Sequence, residues 1–278
     1  MTIIVADTTC GLPRDLLAKR GIPTVPQVVI FGEESFHDDK DLDTAAFIQK
    51  LKASKTLPKT AAPEPPLYFP IFEEAKEKGE SVVVVAPTGK ASGTVRSAQT
   101  AAQEYPGVDI RVVDSLTISC NLGSLVLLAD DMAKAGKSAD EIVAKLNEMI
   151  PRGRIYFLVD TLEYLAKGGR IGGAKRLVAE LLEVKPILQV KDGQVEAFEQ
   201  QRTKKRALAR LVEVVTEQCP GGESAHLCVL QVEAEKEAEA LVEELKSKVN
   251  VPHIPIYELP PAIVVHAGPH AMGVGFFI

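Results

Sequence analysis

The feature that most constrains the fold is a set of short, mainly apolar runs: TIIVA at residues 2–6, SVVVVA at 81–86 and IRVV at 110–113. A strand with one face in water alternates apolar and polar residues, whereas a strand apolar at every position has both faces covered. Such runs, separated by helically spaced segments, predict an α/β chain whose first half holds a mostly parallel sheet. LPRDLLAKRG reads as a helix closed by Gly21, DTAAFIQKLKAS as a second, and 118–149 as more helix, while PQVVIFG reads as a further strand.

The pattern changes after IPRGR, near 151–154. IYFLVD reads as a strand, TLEYLAKGGR as a helix ending in glycines, and AKRLVAELLE as another helix. PILQV and QVEAFEQ form a hairpin across Lys191-Asp192-Gly193, because an Asp-Gly pair favours a tight reversal. A helix over 203–218, the strand AHLCVLQVEA, the helix KEAEALVEELKSKV and the strands HIPIYEL, AIVVHAG and GVGFFI follow. Hairpins mixed with crossovers predict a second α/β domain with a mixed sheet, so the chain divides into residues 1–150 and 151–278.

Composition narrows the partners. The net charge is −6, with basic and acidic residues interspersed, which argues against nucleic acid. MTIIVADTT lacks the basic start of a signal peptide and no apolar run approaches the roughly 18 residues of a spanning helix, so a cytoplasmic location is expected. Cys10, Cys120, Cys219 and Cys228 form no CxxC pair and the histidines show no HExxH spacing, so no metal site or redox motif is indicated.

Three first-half strands end in hydroxyl-bearing turns: Asp7-Thr8-Thr9, Thr88 through Thr94, and Asp114-Ser115. In open parallel sheets ligands bind beyond the carboxyl ends of the strands, so these turns should collect at one edge. Each also suits a plain helix cap, since hydroxyl and carboxylate oxygens satisfy first-turn amides. Ser92 sits in GKASG rather than the GxSxG elbow of a nucleophile, and a helix start offers amides and a positive dipole end to an anion. In the second half, Arg170 lies between two glycine pairs in KGGRIGG, where a guanidinium could grip a carboxylate or phosphate, or where a helix merely ends in a surface loop. His266 is placed at a strand end, before Gly268-Pro269.

The segments ADTTCGLP, VIFGEESFHD, LPKTAAP, ASGT, VVDS, IPRGRIYFLVDTLEYLAKGGRIGG, VKPIL and VHAGPHAMG, in this order along nearly the whole chain, resemble the DegV family of bacterial fatty-acid-binding proteins. The resemblance implies two α/β domains with a fatty acid at their junction, the carboxylate held by hydroxyls, amides and a histidine, and the acyl chain in an apolar tunnel of the second domain. It implies Thr60, Ala61, Ser92, Gly93 and His266 as head-group residues, with Arg170 nearby and Asp7, Thr8, Ser115 and Gly268 as secondary candidates. Two departures stand out: Ala6 replaces a common Thr, and Thr60-Ala61-Ala62-Pro63 replaces a common Thr-Ser-Gln-Pro, leaving only the backbone amide of Ala61 to serve.

The resemblance further implies a carrier, not an enzyme. It would present a long-chain fatty acid to a separate ATP-dependent fatty acid kinase that makes an acyl phosphate for lipid synthesis. The fatty acid is its ligand, no cofactor is implied, and transient membrane contact is open. No GxxxxGK[ST] loop occurs, so the ATP site is expected on the partner. The alternatives are an acyl-ester hydrolase using Ser92 and His266, and a carrier of another apolar acid or a sugar-like ligand.

Overall fold

The computed structural model describes residues 1–179 and 184–278. The first half runs β1 (Thr2–Asp7), α1 (Arg14–Arg20), β2 (Thr24–Val25), β3 (Val28–Phe31), β4 (Glu34–His37), α2 (Thr44–Ala53), β5 (Lys59–Ala61), α3 (Phe69–Lys78), β6 (Ser81–Ala86), α4 (Thr94–Gln103), β7 (Ile110–Asp114), α5 (Ser119–Lys134) and α6 (Ala139–Met149). The second half runs β8 (Gly153–Leu158), α7 (Glu163–Lys167), β9 (Lys185–Lys191), β10 (Gln194–Gln201), α8 (Lys204–Gln218), β11 (Cys228–Gln231), α9 (Glu235–Lys246), β12 (Ile256–Glu258), α10 (Pro261–Ala267) and β13 (Met272–Phe277).

The apolar runs form the parallel sheet that their composition demands, in the order β2-β1-β6-β7 with every pairing parallel. Side chains alternate between its two faces. Ile4, Ala6, Val83 and Val85 pack with Leu17, Leu125 and Ile142 of α1, α5 and α6, while Val5, Val82 and Val84 pack with Phe72 and Ala98 of α3 and α4. Covering both faces is what keeps the middle of the sheet apolar and confines its polar residues, such as Thr2, Ser81, Arg111 and Asp114, to strand ends and the edge strand.

The second half builds a mixed sheet, β10-β9-β8-β13-β11-β12, in which only β11 and β12 pair parallel. One face, with Ile187, Val229 and Val274, packs on α8 and α9; the other, with Leu188 and Leu230, faces a core shared with Phe47 of α2 and Val264 of α10. The β9–β10 hairpin turns at Asp192 (φ 48°) and Gly193 (φ 78°), the two positive φ angles that an Asp-Gly reversal supplies. Its tip is fastened to the first half, where Thr88 Oγ1 donates to the Gly193 carbonyl at 3.0 Å.

Several expectations are corrected. PQVVIFG supplies β3, but β3 lies in a separate antiparallel sheet of order β4-β3-β5, in which Phe31 pairs with Glu34 and Val29 with Thr60. ESFH and KTA are short and partly polar, so neither carries a strand signal of its own. AIVVHAG is not a strand: residues 261–267 are α10, capped by Pro260 and opened by Pro261. A proline in the first turn has a φ preset for helix and gives up an amide that no helix bond would use, which outweighs the β-branched composition. HIPIYEL is extended in a ladder only over Ile256–Glu258. Of AKRLVAELLE, residues 174–179 belong to a 3-10 segment and 180–183 lie outside the described residues.

Candidate functional site: a cavity at the strand ends

Beyond the carboxyl ends of β1 and β6 lies a cavity of about 120 Å³. Thr60, Ser92, Gly93, Arg170 and His266, separated in sequence by as many as 206 positions, all line it. Ile155, Phe157, Leu165, Leu230, Leu259 and Met272 supply much of the rest, so a small polar cluster faces a mainly apolar wall. That combination suits a ligand with one polar end.

Ser92 reaches the cavity because β6 stops at Ala86 and the chain turns before α4. The Ala91 and Ser92 amides both donate to the Thr88 carbonyl, at 3.1 and 3.0 Å. Gly93, not Ser92, occupies the N-cap of α4, and it gives no side-chain cap. The Ser92 hydroxyl instead accepts from the Thr94 amide at 3.3 Å and lies 2.8 Å from Thr94 Oγ1. Arg170 holds this loop from the other half: its Nε donates to the Ala91 carbonyl at 3.0 Å and its Nη1 to the Gly168 carbonyl at 2.7 Å.

His266 sits in the last turn of α10, with Nε2 2.9 Å from Thr60 Oγ1. Its Nδ1 is buried and has no partner among the described residues. Burial, and then the nearby Arg170 charge, lower the ring's pKa to about 4, so it is neutral near pH 7. Ser92 and His266 are each bonded to a different threonine, so the ring is not poised as a base on the serine, and among the described residues no acid stands behind it. Among the described residues no group of three His, Cys, Asp or Glu side chains is placed to hold a metal ion.

The other sequence candidates lie elsewhere. Ala61 is exposed and pairs with Val28, while Thr60 and Ala62 on either side face the cavity. Asp7 is buried behind the lining, and Thr8 Oγ1 accepts from the Gln27 amide at 3.1 Å. Ser115 turns inward onto Thr117, donating to its carbonyl and accepting from its amide, both at 3.3 Å. Gly268 (φ 77°) lies against the Tyr164 ring, where an added Cβ would come within 2.5 Å. Gln27 and Ser119 also line the cavity, although nothing in the sequence marks them. Gln27 is one amide in a Pro-flanked apolar stretch, and Ser119 is buried with a positive φ of 53° and, among the described residues, no partner for its hydroxyl; neither property has a sequence signature.

Fold and cavity together define an α/β protein of three sheets, one parallel, one mixed and one small and antiparallel, enclosing a largely apolar cavity with a polar cluster at the strand ends. The chain belongs to the DegV family: the model described as "Uncharacterised protein, DegV family" matches residues 1–278. A DegV domain-containing protein of Deinococcus radiodurans is 35% identical over 271 residues, covering 98% of this chain and 96% of that one. The solved structure of a fatty-acid-binding DegV family protein from Thermus thermophilus matches with a TM-score of 0.91 at 32% identity, covering 99% of each chain. DegV of Bacillus subtilis, described as a fatty acid binding protein, matches with a TM-score of 0.87 at 30% identity, covering 100% of this chain and 99% of that one.

Proposed function

We propose that this protein binds a long-chain fatty acid and presents its carboxylate to a separate ATP-dependent fatty acid kinase. The observation that carries the first part is the cavity itself, with Thr60, Ser92, Arg170 and His266 at one polar cluster and an apolar wall beyond. The descriptions of the Thermus and Bacillus relatives as fatty-acid-binding support it. In this reading residues 1–150 supply most of the hydroxyls, residues 151–278 form the lipid-binding domain, and the ligand lies between them in a cytoplasmic carrier. Each buried methylene contributes about 0.8 kcal/mol, so release is slow and ligand co-purifies.

Mass spectrometry of an organic extract of the purified protein tests binding. Repeated extracts without fatty acid, together with no rise in melting temperature when one is added, would defeat the reading. Support for the second part comes from Arg170, whose charge beside a carboxylate suits the negative charge that builds as a phosphoryl group arrives. The pure protein with ATP, magnesium and fatty acid should make no acyl phosphate until a kinase is added. Acyl phosphate made by this chain alone would place the ATP site here instead.

A further inference from the structure

Asp7 does not touch the cavity, yet it is joined to it by an unbroken hydrogen-bonded chain. The carboxyl is 1% exposed, and among the described residues it forms no ion pair. Oδ1 accepts from the Thr9 amide at 2.6 Å and from the Thr9 hydroxyl; Oδ2 accepts from Gln27 Nε2 and from Thr94 Oγ1 at 3.1 Å. The other groups facing it are Tyr68, Cys10 and Asp38, none of them a cation.

Counting protons fixes the direction of this chain. With Asp7 ionised, Thr94 spends its single hydroxyl proton on Asp7 while its oxygen receives Gln27 Nε2 at 2.8 Å. The remaining 2.8 Å contact, Ser92 to Thr94, then has to be donated by Ser92. Ser92 also accepts from the Thr94 amide, so only a lone pair is left toward the cavity, and a lone pair repels a carboxylate. A proton on Asp7 reverses every link. Asp7 donates to Thr94, Thr94 donates to Ser92, and the Ser92 proton is free to meet an anion.

Resting on the fatty-acid reading, we infer that Asp7 is a positioning residue that shares one proton with the ligand's carboxyl through Thr94 and Ser92, so that binding the anion takes up a proton at Asp7. The balance is simple: the fatty acid enters as the anion, one proton enters from solvent, and no covalent bond between heavy atoms changes. Two anions separated by only two hydroxyls, away from water, would repel strongly, and the proton removes one of them. The neutral His266 ring brings no compensating charge, and the Arg170 guanidinium, though close, is engaged with the Ala91 and Gly168 carbonyls. Burial already raises the Asp7 pKa against the pull of its donors.

The test is the affinity for palmitic acid from about pH 6 to about pH 9, with proton uptake read by calorimetry in buffers of different ionisation enthalpy. Above the pKa of Asp7 the affinity of the unaltered protein should fall by up to about tenfold per pH unit, with uptake approaching one proton. In Asp7→Asn the side chain cannot titrate, so the pH dependence should vanish; the introduced amide keeps an acceptor for Thr9 and turns its donor toward Thr94 and also toward Gln27 Nε2. A flat profile without proton uptake in the unaltered protein overturns the inference, as does an unchanged slope in Asp7→Asn. Should that variant not fold, the unaltered protein's slope and uptake decide alone. Binding without a slope removes only this inference; no binding at any pH removes the fatty-acid reading and this inference with it.

Discussion

Thr60 Oγ1 and His266 Nε2 lie 2.9 Å apart across 206 positions of sequence, and this hydrogen bond ties the edge strand β5 to the last turn of α10. It is the only partner of the ring among the described residues, since Nδ1 is buried without one. Thr60→Val, similar in shape, would leave both ring nitrogens unpaired. A loss of about 1–3 kcal/mol is expected, read as a lower melting temperature together with weaker fatty-acid binding. An unchanged melting temperature and affinity would show that the bond contributes nothing.

Two buried groups give stability opposite dependences on pH. The folded-state pKa of His266, about 4, lies below its ordinary 6.5, so its contribution is complete above 6.5 and is lost as pH falls toward 4. Asp38 runs the other way. Burial, with the Asp7 charge adding to it, raises its pKa from 3.8 to about 7 despite opposing hydrogen bonds, so its contribution is present below 3.8 and lost as pH rises through 7. Thermal melts across this range should therefore show a shallower acid limb for His266→Gln and a shallower decline toward neutral pH for Asp38→Asn. Slopes equal to those of the unaltered protein would contradict both assignments.

Gly168→Ala tests the position of the imidazole without calling on a left-handed backbone, although a Cβ there would also stand 2.9 Å from the Tyr164 carbonyl oxygen. Gly168 has an ordinary helical φ of −74°, yet a Cβ there would stand 2.3 Å from His266 Nδ1. The ring has to shift and the Thr60 bond has to stretch or break. The fold should survive, with circular dichroism unchanged, while fatty-acid affinity drops by about tenfold, the scale of one lost hydrogen bond to a charged acceptor. Full affinity in a folded variant would show that the ring's place is immaterial.

Arg170 is a brace between halves as much as a charge. Its Nε and Nη1 bridge the Ala91 and Gly168 carbonyls. Lysine restores the charge but not the planar fork. Arg170→Lys and Arg170→Ala should therefore both loosen the loop that carries Ser92 and weaken binding by about 1 kcal/mol, whereas only the alanine variant should also lose turnover with the kinase per bound ligand. Rescue of binding by lysine would show that charge alone matters.

Local sequence determined a good deal. VVVVA, residues 82–86, is apolar at every position and reads as a strand covered on both faces, and it forms an inner strand of the parallel sheet, because burial on two sides excludes polar residues wherever the strand is placed. Asp192-Gly193 specified its reversal because the positive φ angles are a property of those two residues. The strand-end rule and the family motifs together named Thr60, Ser92, Gly93, Arg170 and His266, all of which line one cavity.

Tertiary structure decided the rest. AIVVHAG is too short for its apolar spacing to separate strand from helix, and α10 forms there because Pro261 suits a first turn whose apolar face finds the shared core. The partnership of β3 with β4 and β5 depends on chain closure between Val29 and Thr60, about which neither segment carries local information. Asp7 looked like a ligand residue by position, yet folding put Thr9, Gln27 and Thr94 around it, so that Thr9, Gln27 and Ser92 line the cavity and Asp7 does not. Local pattern reports whether a residue prefers burial; which buried groups meet is set by the packing of faces brought together over long sequence separations, and that energy exists only once the whole fold has closed.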